Sequence, residues 1–402
     1  QVVFITHIIM GVLCGLSALS ALATPAAAWS PAATSSSPAT NPSPYYNEGR
    51  RWIGVAKTCV APSPWSAERL FPDTPGLPPD LTTYCIYSWK TVPVPPAAPP
   101  PTLADIQSLA ANSNATELTE DVPVVFPQGE SSAIIAAHLR GALAAHVGTS
   151  ALLPPSVLAG PTPAARIVVV DSAPDSRHGA VVPGNGRHGD TLAHLIEDIV
   201  CDGGLCAAEV TTALALPWDD RGVYSPEGGL LGTPTDLAAA VFRALDTWQS
   251  DLALAPATTP PKLVLNLSVG WEDTAFIADC SADDTEPPAP PARAVIGILR
   301  HAAAMGALVV TAAGNDSGGP APRTGLLCPG RFQGLPRVHG ASGSSLVIAA
   351  SGVDYADEPL ETARPQGTTA LVGLGLGGVA WNPLDSMPPA LTGSSVSAAV
   401  VS

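Results

Sequence analysis

"RIVVVDSA", residues 166–173, sets four apolar residues side by side and ends the run on Asp171. An apolar stretch this short, rich in β-branched residues and without polar alternation, reads as a strand covered on both faces. Working outward, the same text keeps changing period. "TLAHLIEDIV" (191–200) has helical spacing and "AAEVTTALAL" (207–216) is strand-like. "TPTDLAAAVFRALDTWQ" (233–249) reads as a helix with Thr233 as its N-cap and Pro234 in its first turn. The strand "KLVLNLSV" (262–269) follows, then the helix "PARAVIGILRHAAAM" (291–305), closed by Gly306. "ALVVTAA" (307–313) and "SLVIAAS" (345–351) are two further apolar strands. Strands alternating with helices predict an α/β domain over 166–402, a mainly parallel sheet with helices on both faces. Ligands of such sheets bind beyond the carboxyl ends of the strands.

Those ends carry chemistry. Asp171 ends the first strand, and His188 opens a helix in "GRHGDTLAHLI" (186–196). Asn315 follows a strand in "VVTAAGNDSG" (309–318), and Ser395 sits in "LTGSSVSAAVVS" (391–402). A serine hydroxyl is a weak nucleophile near neutral pH and needs an adjacent base; a carboxylate then holds the imidazole in the right tautomer. Two "RHG" stretches compete for that base, at His178 and His188. His188 is favoured because an apolar-faced helix follows it, whereas His178 leads into "AVVPGNG".

In this order the four segments resemble the motifs of the subtilisin-like serine peptidases (subtilases), over about residues 166–402. The resemblance implies Asp171, His188 and Ser395 as catalytic triad and the Asn315 amide as oxyanion-hole donor. It also implies Ser268, Val269 and Gly270 of "NLSVGW" (266–271) as the strand that binds an extended peptide. "LLCPGRF" (326–332) and "SSLVIAASGVDYADEP" (344–359) extend the likeness. The chain departs from the family at Ala173, Asp190, Thr191 and Ser394. Trp271, where the family prefers glycine, would narrow or reshape the S1 pocket. The activity implied is that of a serine endopeptidase acting on polypeptide substrates through an acyl-enzyme. The alternative is a catalytically inactive surface or binding protein on the same fold.

The rest of the chain has a different character. Of 402 residues 13% are charged, against roughly 25% usually, and Pro 44 and Gly 37 mark long connectors. A net charge of −16 without Lys/Arg clusters argues against nucleic acid or an anionic membrane as partner. Residues 1–28 pair an apolar run (2–23) with "TPAAA" and read as a secretory signal peptide, with an N-terminal membrane anchor as the rival reading. Cleavage after Ala28 would leave no stable membrane association and a secreted, extracellular or periplasmic protein. Residues 29–101 then form a Ser/Pro-rich stalk with a small disulfide-containing unit, ending in the spacer "PVPPAAPPP" (93–101). Residues 102–165 are a connector or propeptide-like region, with a helix expected at "SSAIIAAHLRGALAAHV" (131–147). Gln1 without a starting Met, and an end at Ser402 just behind the nucleophile helix, suggest a fragment of a longer reading frame.

Six cysteines follow the signal and allow 15 connectivities; nearness in sequence favours Cys59–Cys85 and Cys201–Cys206, leaving Cys280–Cys328. Zinc is disfavoured because no C-x₂-C pair exists. No cofactor is expected for catalysis and no metal ligand set is assigned. A structural calcium in the acidic loop around Asp219, Asp220 and Glu227 is the weaker of two readings, the other being a solvated loop. "GLGLGG" (373–378) fits a dinucleotide fingerprint formally, but the segment after it cannot open a helix, so it reads as a loop near the cleft.

Overall fold

The computed structural model describes residues 50–89, 100–125, 133–134, 163–176, 188–202, 205–219, 222–254, 261–272, 288–316, 323–337, 344–376, 378–379 and 389–402. The signal-peptide and stalk assignments, His178, Asp220 and Cys280 lie outside them. The first elements are β1 (Arg51–Val55), β2 (Trp65–Arg69), β3 (Tyr84–Trp89), α1 (Leu103–Asn112), β4 (Glu117–Glu120) and β5 (Ala133–Ile134). Then come β6 (Ala165–Asp171), α2 (His188–Val200), β7 (Cys201–Asp202), β8 (Leu205–Cys206), β9 (Ala208–Leu214) and α3 (Pro234–Leu254). They are followed by β10 (Lys262–Leu267), α4 (Pro290–Ala304), β11 (Leu308–Ala312), β12 (Ile348–Val353) and β13 (Leu371–Leu374). Last are β14 (Gly378–Val379), β15 (Pro389–Leu391) and α5 (Ser394–Val401).

A six-stranded sheet in the order β13-β12-β11-β10-β6-β9 is parallel throughout. The run of valines in β6 has a simple cause. Successive side chains point to opposite faces, and both faces are covered. Ile167 and Val169 join Leu192 and Ile196 of α2 and Val396 and Ala399 of α5 in one buried cluster. Val168 and Val170 join Leu237 and Val241 of α3 and Val295 and Leu299 of α4 in the other. Burying one such side chain fully is worth about 1.5–3 kcal/mol, so neither face tolerates a polar residue without a partner. Arg166 has partners: its guanidinium meets Glu209, its register neighbour on β9, at 2.8 Å and Asp251 of α3 at 2.6 Å.

The helix ends behave as the sequence suggests. The Thr233 hydroxyl accepts the Asp236 N–H at 3.1 Å, capping α3 behind Pro234. Past α4, Gly306 takes a φ of 91°, which lets the chain reverse into β11.

A second, antiparallel sheet in the order β2-β3-β1-β4 precedes the parallel one. β4 pairs with β1, so residues on both sides of position 101 share this sheet. One side buries Trp65, Tyr87 and Leu109 around the Cys59–Cys85 disulfide. Ile53, Phe71 and Leu81 from the same unit reach the cluster of α3 and α4, with Phe71 and Phe242 ring centroids 5.8 Å apart. The Cys201–Cys206 disulfide joins β7 to β8.

Two expectations need correction. Ala133–Ile134, assigned to a helix over 131–147, forms β5 and pairs with Pro389 and Ala390 of β15. These are the only described residues of that range, and for them a pairing partner on β15 decided the strand. Within the glycine-rich stretch, Gly373 and Leu374 belong to β13 rather than to a loop.

Candidate active site

Five of the seven expected site residues lie at, or just beyond, carboxyl ends of neighbouring strands, and the other two open helices. Asp171 ends β6, Ser268–Gly270 follow β10, and Asn315 lies past β11. His188 is the first residue of α2 and Ser395 the second of α5. α2 and α5 pack on the same face of the sheet, through Leu192, Ile196, Val396 and Ala399.

Asp171 and His188 form a buried pair. The His188 Nδ1 lies 2.9 Å from Asp171 Oδ1 and 3.0 Å from Oδ2. The Ser172 N–H donates to Asp171 Oδ1 at 2.6 Å, which fixes the carboxylate against the strand end. The Ser172 hydroxyl accepts the Gly189 N–H at 3.0 Å and ties the start of α2 to that point. Gly189 has to be glycine: a Cβ there would sit 2.8 Å from both Asp171 Cβ and Ala173 N.

Asn315 and the Ser394–Ser395 turn form the second half. The Ser394 N–H donates to Asn315 Oδ1 at 2.9 Å, and the Gly314 N–H donates to the Ser394 hydroxyl at 3.1 Å. With its oxygen so committed, the amide is locked in one orientation. Its nitrogen, Nδ2, is buried and has no hydrogen-bond partner among the described residues. Gly393 turns with φ 145°, and a Cβ on it would lie 2.5 Å from that nitrogen. The Ser395 hydroxyl is buried and donates to the Ser268 carbonyl at 3.4 Å. The Ser268 hydroxyl bridges back to the Ser395 carbonyl at 3.2 Å and to Asn266 Oδ1 at 3.0 Å.

The strand edge at Gly270 already holds an extended segment, and it belongs to this chain. Val125 exchanges two main-chain hydrogen bonds with Gly270, at 2.9 and 2.8 Å. On the other side Val124 exchanges two with Gly232, at 2.7 and 2.9 Å. Both pairings are antiparallel bridges, so residues 124–125 lie extended between the backbones at Gly232 and Gly270. Asp121, four residues before Val125, is fully buried where this segment leaves β4. It faces Arg51 of β1 at 3.2 Å, with Thr235 and Asp236 of α3 beside them. Burial pushes its carboxyl up to about 6, against the pull of Arg51.

No family model and no curated protein matches the chain. Among solved structures it is similar to the prenylagaramide maturation protease PagA, at 16% identity over 60% of this chain and 73% of that one, with a TM-score of 0.36. What the site can do is therefore read from its own side chains.

Trp271 is buried beside the site, pairs through its main chain with Cys328, and stacks edge-on on Phe332 at 6.1 Å. Among the described residues no group of three or more His, Cys, Asp or Glu is placed to hold a metal ion. Asp219 accepts the Val223 N–H at 2.8 Å within its own turn. No described helix is long and apolar enough to cross a membrane.

Sequence reading missed three participants. Ser172 was hidden because any small residue suits a strand end. The Val124–Val125 pairing was missed although "VPVVFP" (122–127) is β-prone, because nothing local names its partners. Arg364 was missed too; it is a nearly buried cation in a charge-poor chain, and such a residue needs a reason.

Proposed function

We propose that this chain is an exported serine endopeptidase of the subtilisin-like kind, with Asp171, His188 and Ser395 as its triad and polypeptides as its substrates. The observation that carries the reading is the Asn315 amide. A buried donor left unpaired costs about 1–3 kcal/mol, and such groups persist where a ligand supplies the acceptor. Here the donor is clamped through its own oxygen to the residue before Ser395. It is thus held ready for a charge that develops only during reaction.

The Ser395 Oγ attacks the substrate carbonyl carbon while its proton passes to His188 Nε2. Asp171, hydrogen-bonded at Nδ1, holds the ring in the tautomer that carries no proton on Nε2 and stabilises the imidazolium. The oxyanion is met by Asn315 Nδ2 and by the Ser395 N–H, one of the amides at the start of α5 that have no acceptor within the helix itself. His188 then protonates the leaving amine, and water releases the acyl group by the reverse route. Substrates pair with Ser268–Gly270 as an added strand, the arrangement Val125 already adopts at Gly270. No metal or organic cofactor takes part. Export accords with the disulfides seen among the described residues, Cys59–Cys85 and Cys201–Cys206, and residues 1–28 would serve as its signal.

The test is labelling of the full chain with a fluorophosphonate, beside Ser395→Ala and His188→Ala. Labelling of the wild type that disappears in both variants is the expected result. An unlabelled but folded wild type would replace this reading with a non-catalytic binding protein on the same fold.

A further inference from the structure

Arg364 has no place in the triad or the oxyanion hole, yet its side chain is only 3% exposed. Burying a guanidinium is costly unless it is paired and hydrogen-bonded. Its Nε donates to the main-chain carbonyl of Asn315 at 3.2 Å. Its Nη2 donates to Glu272, whose carboxylate also meets Arg323 at 3.1 Å. The neighbouring backbone reinforces the contact: Ala363 bridges Asn315, and the Asp316 N–H donates to the Thr362 carbonyl at 2.7 Å. Glu272 stands two residues past Gly270. One rigid cation therefore joins the loop that carries the unpaired amide to the segment that follows Gly270.

The Ser394 N–H fixes the Asn315 side chain at its oxygen; Arg364 fixes the same residue at its main chain. An amide held at both ends keeps its nitrogen on one line, and donors of this kind lose effect once displaced by more than about 0.5 Å. We propose that Arg364 is a positioning residue that acts through Asn315, with Glu272 holding the guanidinium in place. This rests on the serine-peptidase reading of the same site. Lysine would keep the charge, but without a planar fork it would not hold both partners at once.

The experiment measures fluorophosphonate inactivation of the full chain, separating kinact from KI. In that reaction Ser395 Oγ forms a bond to phosphorus, fluoride leaves, and the hydroxyl proton passes to His188. The phosphonyl oxygen gathers charge where the oxyanion of a peptide would. Arg364→Ala and Arg364→Lys are compared alone and combined with Asn315→Ala. Removing an oxyanion donor outright costs about 10²–10³ in rate. Arg364→Ala should lower kinact about 10-fold or more within that ceiling, with KI changed less than about twofold, and Arg364→Lys should lose less. In the Asn315→Ala background the same changes should cost under about twofold, because coupled residues are not additive. A full additive loss there, a change confined to KI, or unchanged kinact would overturn the proposal. If Arg364→Ala does not fold, Arg364→Lys and Glu272→Gln are judged by the same criteria. A folded wild type that takes no label refutes the peptidase reading itself, whereas a labelled wild type with additive variants refutes only the positioning.

Discussion

Asp121 offers a test of how the segment that pairs with Gly270 is held. Its carboxyl is fully buried between Arg51 of β1 and Thr235 of α3. Burial raises its pKa from 3.8 to about 6, nearby Asp236 adds to the rise, and Arg51 and the threonine hydroxyls oppose it. The folded chain thus holds this proton more tightly than the unfolded one. The stability it contributes is fully present below about pH 3.8 and is lost as pH rises through about 6. At 1.36 kcal/mol per unit, a shift of about two units is worth about 3 kcal/mol. Asp121→Asn removes the titration while leaving an oxygen for Thr235 and Arg51. Urea denaturation of both proteins between pH 4.5 and 8, at constant ionic strength, isolates the effect as a difference. Relative to wild type, the variant should gain about 2 kcal/mol across that window, the remainder of the effect lying below pH 4.5. Parallel curves would refute the assignment, since every other titrating group is common to both proteins.

Two substitutions probe the tight approaches. Gly393→Ala places a Cβ 2.5 Å from Asn315 Nδ2 at a φ of 145°, so it should destabilise the fold by about 1–3 kcal/mol and abolish labelling of Ser395; a melting curve and a labelling gel check it. Gly189→Ala drives a Cβ against Asp171 and Ala173, 2.8 Å away, and should push His188 off its partner. Misplacement by about 1 Å can cost about 10²-fold, so a labelling rate within twofold of wild type would count against the role given to that pair.

Much of the parallel sheet was legible because its strands are buried on both faces. β6, β10 and β11 are short apolar runs with no polar side to confuse the reading, and the residues after them point to one edge. Asp171, His188, Asn315 and Ser395 stood out because each sits where strand gives way to helix or loop. The structure brings Asp171 to His188 and Asn315 to Ser394, contacts that no local pattern contains. What failed had the same root. Ala133–Ile134 became a strand because β15 offered it hydrogen bonds, and Gly270 found Val125 from a far earlier part of the chain. Periodicity reports what a segment can be; pairing decides which of those it is. Arg364 was invisible for a related reason: its meaning lies in a carbonyl on a distant loop.

The extended segment at Val124–Val125 has a consequence for any measurement of preference. A segment fastened to the same chain competes with peptides in solution at an effective concentration of about millimolar. Under the proposed function, the apparent affinity of a free peptide is its intrinsic affinity scaled by the fraction of molecules in which that segment has lifted away. A ranking of peptides survives this scaling, but the absolute constants do not. Two preparations that differ only in how firmly Asp121 anchors the segment would report different affinities for one and the same site.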